Sequence, residues 1–252
     1  MDLTNLQDIQ ALLKTHGLWA KKSFGQNFLV ERPILETILE TANIQPEDHI
    51  VEVGPGLGVL TQELAKKAAK VTTIELDDSL IPLLQSTLPA NVKLLHQNAL
   101  DFTPPTTPYK VVANIPYNIT SPLLRHFLQA TNPPQTLTLL IQKEVAEKLS
   151  ATEPNHSMLS LQTQLYAQPK IAKIVPPEAL FPAPKVHSAI IHLQTITPHP
   201  LATEILKLAS QAFLQKRKKL SNTLRSHQLN QYADQRPQHL SIKDWEALAK
   251  NS

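Results

Sequence analysis

The sequence contains no cysteine, only five glycines and no long apolar run. Without cysteine, none of the 252 residues can form a disulfide, act as a thiol nucleophile or bind a metal through sulfur. No stretch approaches the roughly 18 consecutive apolar residues of a membrane-spanning helix. Residues 1–16 predict an amphipathic helix with two aspartates rather than a signal peptide. We therefore expect a cytoplasmic protein without membrane contact.

Short apolar runs alternate with helical patterns over most of the chain. Strands are predicted at 49–53, 71–75, 92–96, 110–113 and 137–141, and helices at 31–42, 59–69, 79–88 and 121–130. Such alternation predicts an α/β fold with a parallel sheet covered on both faces. Two later strands, at 170–175 and 187–193, are separated by a loop too short for a crossover helix, so we expect them to pair antiparallel.

The pattern becomes purely helical after residue 197, which predicts a boundary there. We expect an α/β domain at 1–197 and a small all-helical domain at 198–252. The second of these carries nine Lys/Arg against four Asp/Glu, whereas the first carries fifteen against seventeen. A basic segment on a nearly neutral body suggests a polyanionic partner, although a lysine-rich face exposed to solvent would give the same count.

The first predicted strand runs directly into a glycine-rich loop, Gly54-Pro55-Gly56-Leu57-Gly58. Glycine lets the backbone turn tightly and approach a ligand that a Cβ atom would exclude. A dinucleotide-binding loop would place its third glycine at position 59, which is valine here. The spacing instead favours the amino-acid part of S-adenosylmethionine, with Gly54 and Gly56 as binding residues. A tight turn without any ligand is the alternative.

Two further strand ends carry polar residues. Glu75 ends the second strand, nineteen residues after Gly56, where a carboxylate can accept both hydroxyls of a ribose. The alternative is that Glu75 is a solvated acid at a strand end and binds no ligand. Asn98 follows the third strand and could bond to an adenine edge, whereas we interpret His96 as a packed or surface residue. The ten histidines lack metal-ligand spacing such as H-x-x-H, so we expect no protein-bound metal.

The fourth strand ends in Asn114-Ile115-Pro116-Tyr117, a tetrapeptide suited to chemistry on an amino group of a base. The N6 atom of adenine is a poor nucleophile because its lone pair is delocalised into the ring. The Asn114 side-chain oxygen and the Ile115 carbonyl could accept its two protons out of the ring plane. Pro116 stiffens the turn, and Tyr117 offers a face for base stacking. A simple turn that closes the strand is the alternative.

Five segments occur together in one order along the chain. They lie at 21–29, 52–58, 114–117, 142–149 and 181–186, and read KKSFGQNFL, EVGPGLG, NIPY, QKEVAEKL and FPAPKV. With them the sequence closely resembles the KsgA-type ribosomal RNA adenine N6,N6-dimethyltransferases, over nearly the whole chain from Lys21 on. The resemblance implies a Rossmann-like sheet of the class I S-adenosylmethionine-dependent methyltransferases, followed by a small C-terminal helical domain.

The resemblance also implies roles for residues at the cofactor. Asn27 and Leu29 would close over S-adenosylmethionine, while Gly54 and Glu75 would hold its methionine and ribose parts. At the position of Asn98 the family usually has aspartate, so this contact to the adenine of the cofactor is a departure from the pattern.

At the target base, the resemblance implies that Asn114 stands between cofactor and adenosine, with Tyr117 and Phe181 on either side of the adenine. The substrate would be two adjacent adenosines near the 3′ end of small-subunit (16S) rRNA, within an assembling small subunit. The enzyme itself is expected to act as a monomer.

Basic residues supply candidate phosphate contacts, which position RNA without reading its sequence. The cluster at 216–219 follows an apolar helical stripe, so we expect it to begin a second helix of the small domain. The expected RNA-binding residues are Lys21, Lys22, Lys185, Lys216, Arg217, Lys218, Lys219 and Arg225.

Three other functions compete with this interpretation. A macrolide-resistance type of methylase would perform the same reaction on large-subunit rRNA. A non-catalytic ribosome assembly factor could use the same scaffold, although the intact Gly54, Glu75 and Asn114 argue against lost catalysis. An NAD-dependent oxidoreductase is disfavoured by Val59.

Overall fold

The computed structural model describes residues 3–21, 24–225 and 227–250. Within them the chain forms two compact units, one of residues 1–146 and 170–195 and one of 147–169 and 196–252. The strands are β1 Phe28–Leu29, β2 His49–Val53, β3 Lys70–Glu75, β4 Val92–His96, β5 Lys110–Asn114, β6 Thr136–Gln142, β7 Ala167–Val175, β8 Leu180–Phe181 and β9 Ser188–Thr195. The helices are α1 Leu6–Thr15, α2 Arg32–Ala42, α3 Val59–Lys67, α4 Ile81–Thr87, α5 Thr120–Leu128, α6 Lys143–Ser150, α7 Met158–Gln164, α8 Ala202–Phe213, α9 Leu220–Thr223 and α10 Ile242–Lys250.

The first unit is built on a seven-stranded sheet in the order β4-β3-β2-β5-β6-β9-β7. The five strands from β4 to β6 pair in parallel, and β9 pairs antiparallel to β6. This confirms the α/β fold expected from the alternating pattern. β2 pairs with both β3 and β5, so the chain changes direction across the sheet at β2. In open α/β sheets, ligands bind beside the carboxyl ends of the strands at such a reversal.

The helices of this unit follow from their apolar spacing. In α2 the buried side chains Ile34, Leu35, Ile38, Leu39 and Ala42 recur at helical intervals and face one core. The helix ends at Asn43, whose φ of 45° is the left-handed conformation common after a helix. β2 and β6 are almost continuously buried, as expected of strands covered on both faces.

The second unit has its own core, in which Trp245 of α10 is fully buried among residues of α7 and α8. Leu161 and Leu165 belong to this core, which explains why residues 147–169 are grouped with the C-terminal helices. From the sequence that segment was expected in the first domain, because a boundary was visible only where the pattern turned helical.

Several elements differ from the expected ones. β1 and β8 form an additional two-stranded antiparallel sheet in which Phe28 pairs with Phe181. The basic cluster at 216–219 does not begin a helix: residues 214–218 form a turn after α8, and Lys219 is the N-cap of α9.

The expected pair of late strands, β7 and β9, are neighbours in the sheet. No helix in the described part of the chain is long and apolar enough to span a bilayer.

Candidate active site

A cavity of about 270 Å3 lies in the first unit. Its lining comes from the segments at 24–29, 52–60, 74–76, 97–99 and 114–119, which include the ends of β2, β3 and β5. It brings together ten residues that the sequence analysis singled out: Asn27, Leu29, Gly54, Gly56, Glu75, Asn98, Asn114, Ile115, Pro116 and Tyr117. The residues expected at the cofactor and those expected at the target base thus share one cavity.

The glycine-rich loop turns from β2 into α3 through left-handed conformations. Gly54, Gly56 and Gly58 have φ values of 70°, 57° and 82°, which side chains with a Cβ rarely adopt. A Cβ atom on Gly56 would also lie 3.0 Å from the ring of Phe28, another lining residue. The loop therefore keeps its backbone open to the cavity, as a cradle for a ligand requires.

Glu75 ends β3 at the cavity, and its carboxylate is anchored by the backbone. One oxygen, Oε1, accepts from the amides of Leu76 and Asp77, both at 2.8 Å. Burial raises the pKa of Glu75 above its usual value, while the backbone bonds oppose this rise. An anchored carboxylate whose second oxygen is free of these two bonds suits a ligand that carries hydroxyl donors.

Glu52 also lines the cavity, and its carboxyl group is almost fully buried. It accepts a hydrogen bond from the Thr61 hydroxyl at 2.6 Å, which ties β2 to α3. Burial raises the pKa of Glu52 to about 7. In the sequence Glu52 stands out only as part of a motif, because a glutamate inside a strand does not reveal whether it is buried.

Asn98 lies at the cavity, exposed, as the N-cap of a 3-10 turn at Ala99–Asp101. Its Oδ1 accepts from the Leu100 amide at 3.0 Å. This bond occupies one of the two lone pairs of the only side-chain oxygen, and the other polar atom of Asn98 is an NH2 group, a donor. The expected acceptor for an adenine amino group is therefore shared with the Leu100 amide.

Asn114 is held in place at the end of β5 by its amide nitrogen. Nδ2 donates to the carbonyl oxygen of Asn27 at 2.8 Å, so the side-chain oxygen is the group left to act as an acceptor. The amide of Ile115 donates to Leu140 of β6 at 3.2 Å, which fixes the following peptide. The tetrapeptide at 114–117 therefore presents its acceptors on a rigid strand end.

The two aromatic residues expected around the base have different surroundings. Tyr117 lines the cavity, and its hydroxyl shares a hydrogen bond of 2.6 Å with Ser188 Oγ. Burial raises the pKa of the Tyr117 phenol. Phe181 is not among the cavity-lining residues; it is partly buried and pairs with Phe28 between β8 and β1. Phe181 therefore lies beside Phe28, a cavity-lining residue, and does not itself line the cavity.

Lys21 has partners that leave it little freedom to bind RNA. Its Nζ lies 2.6 Å from Oδ1 of Asp77, a nearly fully buried carboxylate, and 2.9 Å from the Ser79 hydroxyl. Gln26 donates to the other oxygen of Asp77 at 2.8 Å. The structure thus gives Lys21 the role of fixing the segment that lines the cavity, in place of the expected phosphate contact. Lys22, the neighbouring candidate, lies outside the described residues.

The other basic candidates are exposed. Lys185 lies in the loop between β8 and β9 of the first unit. In the second unit, Lys216, Arg217, Lys218, Lys219 and Arg225 all have exposed side chains, and Lys219 lies 2.8 Å from Asp234 in an exposed ion pair. Among the residues that the structure describes, no group of three or more His, Asp or Glu could hold a metal ion.

Sequence reasoning missed three polar residues at this site. Asp77, Gln26 and Ser188 each form a hydrogen bond with a residue of the cavity or its walls. Asp77 and Gln26 could have been suspected, since Asp77 stands two residues after Glu75 and Gln26 stands next to Asn27 in the segment 21–29. Ser188 gave no signal, because one serine at the start of a predicted strand has no distinctive spacing.

Comparison with known proteins finds similar enzymes of RNA modification. Residues 17–252 match the family model described as ribosomal RNA adenine dimethylase. Ribosomal RNA small subunit methyltransferase A of Streptococcus uberis is 41% identical over 90% of this chain and 84% of that protein. Its counterpart in Streptococcus thermophilus is 39% identical over the same shares.

Two solved structures resemble most of the chain. The 23S rRNA methyltransferase ErmE has a TM-score of 0.74 and 27% identity, covering 89% of this chain and 99% of that one. A dimethyladenosine transferase from Plasmodium falciparum has a TM-score of 0.74 and 25% identity, covering 87% and 95%. Both share the α/β fold.

Proposed function

Because the chain belongs to the ribosomal RNA adenine dimethylase family, we propose that it dimethylates N6 of two adjacent adenosines near the 3′ end of small-subunit rRNA. S-adenosylmethionine would be the methyl donor. The observation that carries this proposal is the position of Asn114, whose amide nitrogen is bound to Asn27 while its oxygen remains available in the cavity.

The residues present fit S-adenosylmethionine. Gly54 and Gly56 leave an open backbone cradle for the amino-acid part, and the anchored carboxylate of Glu75 can accept from ribose hydroxyls. Asn27 and Leu29 line the same cavity from another segment and would cover the bound molecule. When bound, the cofactor supplies an electrophilic methyl group on a positively charged sulfur. The chain has to hold that group and the base in line.

The chain's own part in the chemistry is to orient the amino nitrogen of the base. The Asn114 side-chain oxygen and the Ile115 carbonyl would accept its protons out of the ring plane, which returns the lone pair to the nitrogen. These acceptors act most strongly as the nitrogen becomes tetrahedral, so they stabilise the transition state more than bound substrate. Tyr117 would support one face of the base, and Phe181 would reach the other only if β8 or its ring moves.

The second compact unit is proposed to bind rRNA. Its exposed cations at 216–219 and 225 carry enough positive charge to contact phosphates. Lys185 would add a contact from the first unit. Lys21 is left out of this surface because its ammonium group already pairs with Asp77. We further propose that the protein works as a cytoplasmic monomer on an assembling small subunit.

A large-subunit specificity is the rival proposal, and the likeness to ErmE supports it. The relatives named for the small subunit are more similar in sequence, at 41% and 39% identity against 27%. Transfer of tritiated methyl groups to unmethylated small subunits and to large subunits, measured side by side, separates the two. Label in small-subunit rRNA alone is expected. Label confined to the large subunit would replace the proposal by its rival, and no label in either would favour a non-catalytic assembly factor.

A further inference from the structure

The hydroxyl of Tyr117 is held by one buried partner. Its oxygen lies 2.6 Å from Ser188 Oγ, and Ser188 has no solvent exposure. The Tyr117 side chain itself is only partly buried and lines the cavity. The hydroxyl end of the ring is thus fixed inside the protein, while another part of the side chain faces the cavity, where a base would enter.

Ser188 is itself placed by the sheet rather than by a loop. It begins β9 and stands opposite Gln142, the last residue of β6. β6 is also the neighbour of β5, where Leu140 pairs with Asn114. The partner of the Tyr117 hydroxyl is therefore fixed to the same strand ends that fix Asn114.

We propose that Ser188 is a positioning residue that holds the Tyr117 ring in the place required to stack on the target adenine. This inference rests on the proposed function of the site. A productive geometry tolerates only about 10–20° of rotation. A change of χ1 moves the ring and its hydroxyl together, so the bond to Ser188 at the far end of the side chain opposes it. Without that bond, the ring could shift away from the place where a base would stack.

The second methyl transfer should depend on this bond more than the first. After one transfer the amino nitrogen carries a methyl group, which must rotate away before the remaining proton can meet its acceptor. A base held loosely against Tyr117 can leave or tilt during that rotation. The bond therefore bears on the ratio of dimethyladenosine to monomethyladenosine as well as on the rate.

Ser188 also ends the exposed loop that starts after Phe181. This loop has six residues, including Lys185. It connects Phe181, which is expected on one face of the base, to Ser188, which holds Tyr117 on the other face. Ser188 thus marks the point at which the loop returns to the sheet, where its pairing with Gln142 fixes it.

The test compares Ser188→Ala, Tyr117→Phe and the double variant with wild type, using unmethylated small subunits and saturating cofactor. Each single change should lower kcat roughly threefold to tenfold, as expected for one lost hydrogen bond. It should also raise the share of monomethyladenosine, while the Kd for S-adenosylmethionine stays unchanged. The double variant should be no worse than either single one, because both remove the same bond.

Thr138→Val is the matched control. Thr138 of β6 is equally buried and bonds to His192 Nδ1 of β9 at 2.9 Å, without lining the cavity. It should lose thermal stability much as Ser188→Ala does, yet keep the wild-type kcat and product ratio. An equal kinetic loss in Thr138→Val would show that Ser188 acts only through stability and would overturn the proposal.

Two other results would also overturn it. One is a wild-type rate and product ratio in Ser188→Ala, and the other is additive losses in the double variant. If Ser188→Ala fails to fold, Tyr117→Phe decides alone, since it leaves Ser188 in place and removes the same bond. Inactivity of the wild type on small subunits would instead refute the proposed function, so the two failures are distinguishable.

Discussion

Replacing Asn98 with aspartate should tighten binding of S-adenosylmethionine. In Asn98 the only side-chain oxygen accepts from the Leu100 amide at 3.0 Å, and the second polar atom is a donor. The adenine amino group is also a donor, so it would have to share the neutral oxygen that already accepts from Leu100. An aspartate would keep the cap with one oxygen and offer the other to the adenine.

The expected gain follows from the kind of bond that is added. A hydrogen bond to a charged group contributes about 1.5–3 kcal/mol against about 0.5–1.5 kcal/mol for a neutral one. Residue 98 is exposed, so solvent weakens the new bond and also keeps the desolvation of the carboxylate small. A net gain of about 1.4 kcal/mol corresponds to a tenfold lower Kd, and we expect up to that value in calorimetric titration.

Two control variants separate the cap from the adenine contact. Asn98→Ser keeps an acceptor for the Leu100 amide, so it should fold normally and bind the cofactor about as well as wild type. Asn98→Leu loses the cap, at a cost of about 0.5–2 kcal/mol in stability, and places an apolar group beside the adenine, so its affinity should fall. Equal affinities for the aspartate, asparagine and leucine forms would refute the reasoning and remove residue 98 from the cofactor site.

The remaining predictions concern catalysis, RNA binding and stability. Asn114→Ala should nearly abolish single-turnover methyl transfer while cofactor affinity falls much less, because the lost acceptor acts mainly in the transition state; wild-type single-turnover rates would contradict the role. Changing the cations at 216–219 together to alanine should weaken RNA binding without unfolding the protein and lower the slope of log K against log salt by roughly 0.7–0.9 per lost phosphate contact. An unchanged slope would mean that this cluster is only solvated. Burial raises the pKa of Glu52 to about 7 from the usual 4.5, so the folded state binds more protons than the unfolded state between these values, and stability falls as pH rises through that range. Glu52→Gln should therefore raise the melting temperature above pH 7, because it removes a destabilisation of at most about 3 kcal/mol. It should have little effect near pH 4. The same increase at both pH values would contradict this cause.

The sequence predicted the parts of the fold that have a period or a distinctive loop. The runs at 49–53 and 92–96 became β2 and β4 with the same bounds. β2 is buried and needs continuous apolar residues, whereas β4 lies at the sheet edge and is only partly buried. The glycine loop and the tetrapeptide at 114–117 were recognisable because their residue types are uncommon in regular structure. Both line the cavity.

What the sequence did not predict depends on contacts between distant segments. β1 and β8 have two residues each, too few for any periodicity, and they pair across more than 150 positions. Residues 147–169 join the second unit through Leu161 and Leu165, whose apolar character does not say which core they enter. Lys21 looked like one of several free cations until Asp77 was found 2.6 Å away.

The identity of the product tests the central claim most directly. Unmethylated small subunits are incubated with the wild-type protein and saturating S-adenosylmethionine, and the rRNA is then digested to nucleosides and separated. The account predicts N6,N6-dimethyladenosine as the main product, since the acceptors at Asn114 and Ile115 leave room for a methyl group where a proton had pointed. Monomethyladenosine alone at saturating cofactor, or a methyl group on any other base, would contradict it.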